Sequence, residues 1–329
     1  MAERRVTSRD VAQKAGVSQS TVSYVMNDAP GQTISAATRE RVLQAAAELG
    51  YTPSATARAL RRGTSEVVLV VIPDGQIGQV ALEVLGAFGE IVEDHGYSVV
   101  YQRRRGRALD AILRELRPVG VADVAAFATE DEAAAAHLGI PVVGLSVDGG
   151  DGHAMRIPQR KVGALQVEHL VARGHTHLGY AASADPLTTI LMRPRLAGVQ
   201  AACAAHGLPA PVVVDVPLFP DAAARAVRRL RDRDDRVTAV CAYDDEVALA
   251  VLAGAHATGV RVPDDLAVVG VDDVPLARLA LPPITSVGIR TAEVGSGLAR
   301  HLLRRLRPDL GLPEPDDEPP IDMVVRAST

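Results

Sequence analysis

Apolar positions in the first fifty residues recur at helical spacing. Val11, Ala12 and Ala15 form one stripe and Val22, Val25 and Met26 a second, so residues 6–27 predict two short helices. Gly16 between them can turn in the left-handed region, Ser18 is placed to cap the second helix, and Thr7 with Asp10 has the spacing of a capping box for the first. Residues 35–49 predict a third helix, capped by Ser35, with Val42, Leu43, Ala46 and Leu49 buried and Gly50 as its stop. Tyr51-Thr52-Pro53 breaks the chain. Residues 54–62 have helical propensity but too few apolar side chains to stay folded alone, and read as a linker or as a segment that a partner orders.

From residue 66 the period changes. Apolar runs at 67–72, 97–101, 124–127 and 142–145 alternate with helical stretches ending near 95 and covering 109–116 and 130–138. A second series begins near residue 161: a helix to 173, then strands 177–181, 212–216, 238–242 and 266–271 separated by helices 195–206, 221–231 and one ending near 258. Unbroken Val/Ile/Leu runs between helices predict parallel strands covered on both faces. Two such series predict two α/β lobes with a cleft between them.

Composition narrows the class. With 329 residues and 47% hydrophobic content, the chain can fill two or three cores. Its apolar runs are far too short to span a membrane and its first ten residues hold no signal-peptide core, which points to the cytoplasm. Cys203 and Cys241 lack metal or disulfide spacing and read as buried thiols. Charge is split: residues 1–62 hold nine Lys+Arg against five Asp+Glu, and residues 63–329 hold 26 against 35. A basic module on an acidic body is expected where only the module meets phosphate. The outer side of the second helix then acquires meaning. Gln19, Ser20, Thr21, Ser23 and Tyr24 are hydrogen-bonding groups without acidic charge, suited to a DNA major groove, although a helical hairpin with a solvated face has the same pattern.

Ligands of doubly wound sheets sit beyond the carboxyl ends of the strands. Those ends carry Asp74-Gly75-Gln76, an arginine run at 103–107, Tyr243-Asp244-Asp245 and Asp272-Asp273. Paired carboxylates suit a divalent ion, acid/base work, or a division of labour in which one bonds a ligand hydroxyl and the other caps a helix. No GxGxxG follows a strand, no phosphate-binding GxxxxGK[ST] occurs, and Gly144-Leu145-Ser146-Val147-Asp148 lacks the last glycine of a nucleophile elbow. His169, His175 and His177 read as helix-end and turn residues rather than metal ligands. No catalytic residue, metal or cofactor is expected, which weighs against a ligand-processing enzyme; the missing signal peptide weighs against an exported solute-binding protein.

The segments VTSRDVAQKAGVSQSTVSYVMN and TRERVLQAAAELGYTPSATARALR, with EHLVARGHTHLGY, RLAG, AYDDEVAL, RVPDDLAVVGVDD and LPPITSV, resemble the lac repressor/galactose repressor family of bacterial transcription factors nearly end to end. The resemblance implies an α/β two-lobed, periplasmic-binding-protein-like body of parallel sheets preceded by an all-α helix-turn-helix DNA-binding domain. The domain would cover 1–53, a hinge 54–62 and the body 63–329, with lobe one at about 63–158 and 288–314 and lobe two at about 159–287 and 315–329. It implies DNA contacts at Thr7, Ser18, Gln19, Ser20, Thr21, Ser23, Tyr24 and Asn27, and in the hinge at Ala57 and Leu60, the leucine acting as a minor-groove wedge. Gln19, Ser20 and Tyr24 would choose bases. Tyr24 departs from the family's frequent arginine, and the loop 28–34 is about two residues longer than usual. The implied effector contacts are Asp74, Gln76, Arg195, Asp244 and Asp272. Asp244 replaces a common asparagine, and with three Phe, six Tyr and no Trp the aromatic platform of many sugar sites is missing. The expected partners are a palindromic double-stranded operator, a second copy of the chain, and a sugar; an arginine run facing the cleft would instead favour a sugar phosphate. Residues 314–320 read as an acidic spacer before the last strand. Nothing after Arg326 suggests a tetramerising coil.

Overall fold

The computed structural model describes residues 6–26, 34–51, 65–74, 78–103, 108–124, 129–147, 155–232 and 236–329. The chain forms two compact units, Met1–Glu66 and Val67–Thr329.

In the first unit, helices α1 (Ser8–Ala15), α2 (Gln19–Met26) and α3 (Ala36–Leu49) enclose a small core of Val11, Ala12, Ala15, Val22, Val25, Val42, Ala45 and Ala46. The Thr7 N–H and hydroxyl both donate to the Asp10 carboxylate, at 2.8 and 2.7 Å. Ser18 Oγ accepts from the Thr21 N–H (3.0 Å) and Ser35 Oγ from the Thr38 N–H (3.2 Å), so both serines cap as their positions suggest. Gly16 and Gly50 end α1 and α3 at φ 66° and 62°, where a Cβ would be strained. Leu43 corrects the expected stripe. It is 47% exposed, and Ala45 takes the inward position, because a residue next to Val42 is rotated about 100° away from the face Val42 buries.

The second unit holds two sheets. The first, ordered β2–β1–β3–β4–β5, is wholly parallel: β1 Val67–Ile72, β2 Ser98–Arg103, β3 Gly120–Asp123, β4 Val142–Val147 and β5 Met155–Ile157. Helices α4 (Gln79–Asp94), α5 (Leu109–Leu116) and α6 (Thr129–His137) connect its strands. Strand β3 lies ahead of the expected 124–127, of which 125–127 lie outside the described residues. Gly120 to Asp123 are all buried and pair with β1, whereas Val124 is only partly buried. The shift follows from packing: a Cβ on Gly120 would stand 2.7 Å from Leu302 Cδ1, so a glycine that weakens the apolar run is what admits the covering helix.

The second sheet is ordered β11–β10–β9–β8–β6–β7. Its members are β6 Leu178–Ser183, β7 Val212–Val216, β8 Ala239–Ala242, β9 Ala267–Val271, β10 Thr285–Ile289 and β11 Ile321–Val324, with only β11 antiparallel. Helices α7 (Gln159–Ala172), α8 (Thr189–Ala205), α9 (Pro220–Arg231), α10 (Asp245–Thr258) and the short α11 (Pro275–Leu279) accompany it. Helix α8 starts six residues before the expected 195 and runs through Pro194, whose ring most helix interiors exclude. Helix α12 (Thr291–Leu306) returns to the first sheet, where Leu298 and Leu302 join Val68, Val70 and Phe88 in one core.

The chain therefore passes between the sheets three times, before α7, between β10 and α12, and along the segment leading to β11. These passages are tied together. The Arg156 N–H donates to the Asp317 carbonyl (2.6 Å), Arg156 pairs with Glu318 (2.7 Å), the Arg290 N–H donates to the Pro320 carbonyl (3.3 Å), and Arg290 pairs with Asp322 at 3.6 Å. The acidic stretch read as a spacer is thus fastened along its length. No described helix is long and apolar enough to cross a membrane.

Candidate functional site

At the head of α2 Ser18 is exposed, and on the helix Gln19, Ser20 and Tyr24 are exposed, while Thr21 and Ser23 are partly buried. Val22 and Val25 face the core, so the helical period itself presents the polar set outward. Ser18 and Thr21 hydroxyls bond each other at 2.8 Å, which commits both to the start of the helix. The Gln19 side-chain amide donates to Ser8 Oγ on α1 at 2.8 Å, fixing where its carboxamide stands. Thr7 is exposed at the head of α1. Asn27, Ala57 and Leu60 lie outside the described residues.

In the body, the carboxyl ends of β8 and β9 are neighbours: Cys241 pairs with Val269, so Asp244 and Asp272 stand three residues on along adjacent strands. Arg195 reaches this point from α8 and is 2% exposed. Its Nε donates to Gln159 Oε1 (2.8 Å), an Nη donates to the Tyr243 carbonyl, and its guanidinium lies 4.7 Å from the centroid of the Tyr243 ring. Helix α8 can place it so deeply because Gly163 and Gly198 let α7 and α8 touch backbone to backbone; an added Cβ on Gly198 would overlap the Arg160 carbonyl, and one on Gly163 that of Arg195.

The paired carboxylates divide their work. Asp244 Oδ1 accepts from the Val247 N–H (2.7 Å) and caps α10. Asp245, 1% exposed, accepts from the Ser286 hydroxyl and the Val274 N–H. Asp273 accepts from Arg278 and Arg326. Among the described residues, no hydrogen bond reaches the Asp272 carboxylate, and no group of three or more His, Cys, Asp or Glu is arranged to hold a metal ion. Asp74 is exposed beyond β1, whereas Gln76 and residues 104–107 lie outside the described residues. His169 and His175 bond Thr329 and Thr238, away from this edge, and Cys203 and Cys241 are buried free thiols.

Sequence reasoning missed Gln159, Gln166 and Ser286. Gln166 donates to the carbonyls of Ala242 (2.8 Å) and Val269 (3.1 Å), joining the two strand ends beneath the site. A signal existed: Gln159 and Gln166 sit seven apart on the buried, otherwise apolar face of α7, and a buried amide requires partners.

Burial, with neighbouring Asp272 adding to it, pushes the Asp244 carboxyl up to about 6 and Asp245 up to about 7. Asp272 is raised by burial, with Arg195 pulling it down. An acid whose pKa rises on folding contributes stability that is complete below its unfolded value near 3.8 and is lost as pH climbs through the folded value. The Asp245→Asn variant should accordingly gain in Tm relative to the unaltered chain as pH goes from 5 to 8, in paired melting scans. A pH-independent difference would place the Asp245 charge in solvent.

Comparisons with known proteins agree with this arrangement. Residues 7–54 match the family described as bacterial regulatory proteins, lacI family, and residues 167–329 match the periplasmic binding protein-like domain. The chain is 30% identical to the ribose operon repressor of Halalkalibacterium halodurans, covering 98% of this chain and 97% of that one. It is 28% identical to the HTH-type transcriptional repressor PurR of Vibrio parahaemolyticus, covering 92% of each. Among solved structures, the lac repressor dimer bound to operator and the anti-inducer ONPF has a TM-score of 0.84 at 26% identity over 99% of both chains. The transcriptional regulator CelR in complex with cellobiose has a TM-score of 0.68 at 28% identity, covering 99% of this chain and 100% of that one. With the relatives matched over nearly their whole length and the polar face of α2 and the two-sheet body both in place, the chain belongs to the lacI family of bacterial regulatory proteins, as a DNA-binding transcriptional repressor with a periplasmic-binding-protein-like body.

Proposed function

We propose that this repressor binds a palindromic operator as a homodimer, in the cytoplasm, and that a small polyhydroxylated effector, a sugar or sugar derivative, acts from the cleft edge at Arg195, Asp244 and Asp272. The observation that carries the effector reading is the balance of groups at that edge. Arg195 keeps donors beyond those spent on Gln159 and Tyr243, Asp272 is an unspent acceptor, and Asp244 has spent one oxygen. A donor fork beside acceptors matches vicinal hydroxyls. Two carboxylates against one guanidinium at this edge also favour a neutral sugar over a sugar phosphate.

For the homodimer, Leu276, Leu279 and Leu281 are 58, 76 and 90% exposed on and just after α11, an apolar cluster that a second copy would cover. Effector binding that favours one lobe angle over another by about 1–3 kcal/mol is enough to shift operator affinity 5- to 150-fold.

A chain starting at residue 65 tests the division of labour. It should bind D-ribose or another neutral sugar more tightly than D-ribose 5-phosphate in calorimetry, and should show no operator binding. Residual sequence-specific DNA binding by that fragment would defeat the reading. On the DNA side, Gln19→Ala should relax preference at one base position by about 1–3 kcal/mol in a competition assay on genome-selected operator fragments. A uniform loss across all sequences would make Gln19 a backbone contact instead.

A further inference from the structure

The turn that presents Asp272 is braced from beneath by side chains shielded from solvent. Asp272 and Asp273 take consecutive left-handed conformations, at φ 98° and 54°. Residues with a Cβ hold such a shape only where the surroundings over-determine it. Four hydrogen bonds do so here. The Asp272 N–H donates to the Val287 carbonyl (2.8 Å), the Asp273 N–H to Ser286 Oγ (3.0 Å) and the Val274 N–H to Asp245 Oδ2 (2.9 Å), while the Ser286 hydroxyl donates to Asp245 Oδ1 (2.7 Å). Asp245 is 1% exposed and Ser286 is fully buried. Gly270 on β9 provides the room, for a Cβ there would overlap Asp245 Oδ1.

Each Asp245 oxygen already accepts a bond, and Asp273 is held by Arg278 and Arg326. The arrangement leaves Asp272 as the carboxylate it presents. We infer that Asp245, with Ser286, is a positioning residue for effector recognition: it locks the 272–274 turn in the shape from which Asp272 meets an effector hydroxyl, without touching the effector itself. The inference rests on the reading of the cleft given above. The Asp244-Asp245 dipeptide then serves two elements, the first carboxylate capping α10 and the second bracing the turn at the end of the neighbouring strand.

The test uses the full chain and two readouts. By hydrogen exchange without ligand, Asp245→Ala should speed exchange of the 272–274 amides at least tenfold while β6 and β8 amides keep their rates. Asp245→Asn, which retains an acceptor for the Val274 N–H, should restore most of the protection. Ser286→Ala should loosen the same amides and carries the test if Asp245→Ala does not fold. With D-ribose as probe in thermal-shift titrations, Asp245→Ala should weaken binding at least tenfold, yet add nothing in an Asp272→Ala background, because it acts through Asp272. Unchanged exchange at 272–274, or additive losses in the double variant, would overturn the inference. If D-ribose does not shift the unaltered chain, it is the ribose reading of the effector that falls, and the exchange pattern alone upholds or overturns the positioning role.

Discussion

Arg195→Ala should lower stability by about 2–5 kcal/mol and weaken effector binding by about 10- to 100-fold. The stability loss follows from what stays behind. Gln159 Oε1 and the Tyr243 carbonyl each lose a donor in a buried setting, and an orphaned buried acceptor costs about 1–3 kcal/mol. The loss of affinity follows from the remaining guanidinium donors, whose charge-assisted bonds are each worth about 1.5–3 kcal/mol. The same substitution removes the cation that draws the Asp272 carboxyl down, so the pKa of that group should rise further. Chemical denaturation and calorimetry with a neutral sugar read the two effects separately. Unaltered stability would mean that the guanidinium is not buried where α8 places it.

Gly198→Ala should cost about 1–2 kcal/mol or more, against the usual preference of helices. Alanine in place of glycine in a helix interior normally gains about 1 kcal/mol. Here the new Cβ would overlap the Arg160 carbonyl, a backbone atom with no rotamer into which it can retreat, and overpacking of this kind commonly costs about 1–3 kcal/mol or more. Packing and propensity thus carry opposite signs at one residue, and packing should win. Because Gly198 lies one turn from Arg195, separating α7 from α8 should also weaken effector binding. A raised Tm in a melting scan would show that the helices part without cost.

The three amino-terminal helices and most strands of the body were legible because each is set by local chemistry. Ser18, Ser35, Gly16 and Gly50 punctuate helices in any context, and a run such as 67–72 admits little but a buried strand. Two of the departures originate in contacts distant along the chain. Gly120 weakens its own strand signal in order to admit Leu302, and Pro194 is tolerated within a helix that packing holds. Leu43 was assigned inward by its apolarity alone. At the effector edge, Arg195 and Asp272 were named through resemblance, and the cap at Asp244 was within reach of sequence logic. The brace formed by Asp245, Ser286 and Gly270 was not, since it joins α10 to β9 and β10 through residues about 25–41 positions from Asp245. No periodicity encodes such a meeting.

The fastened passages between the sheets determine what kind of joint the body has. A single connecting segment would act as a swivel, free to bend and twist in any direction. Three segments side by side, with Arg156 held to residues 317 and 318 and Arg290 held to residues 320 and 322, resist shear and torsion together and leave one soft motion, rotation about the line on which they lie. An effector bound as proposed would turn a single dial on such a joint, and any closure at the cleft would be delivered as a rotation of fixed axis rather than dissipated among many small displacements.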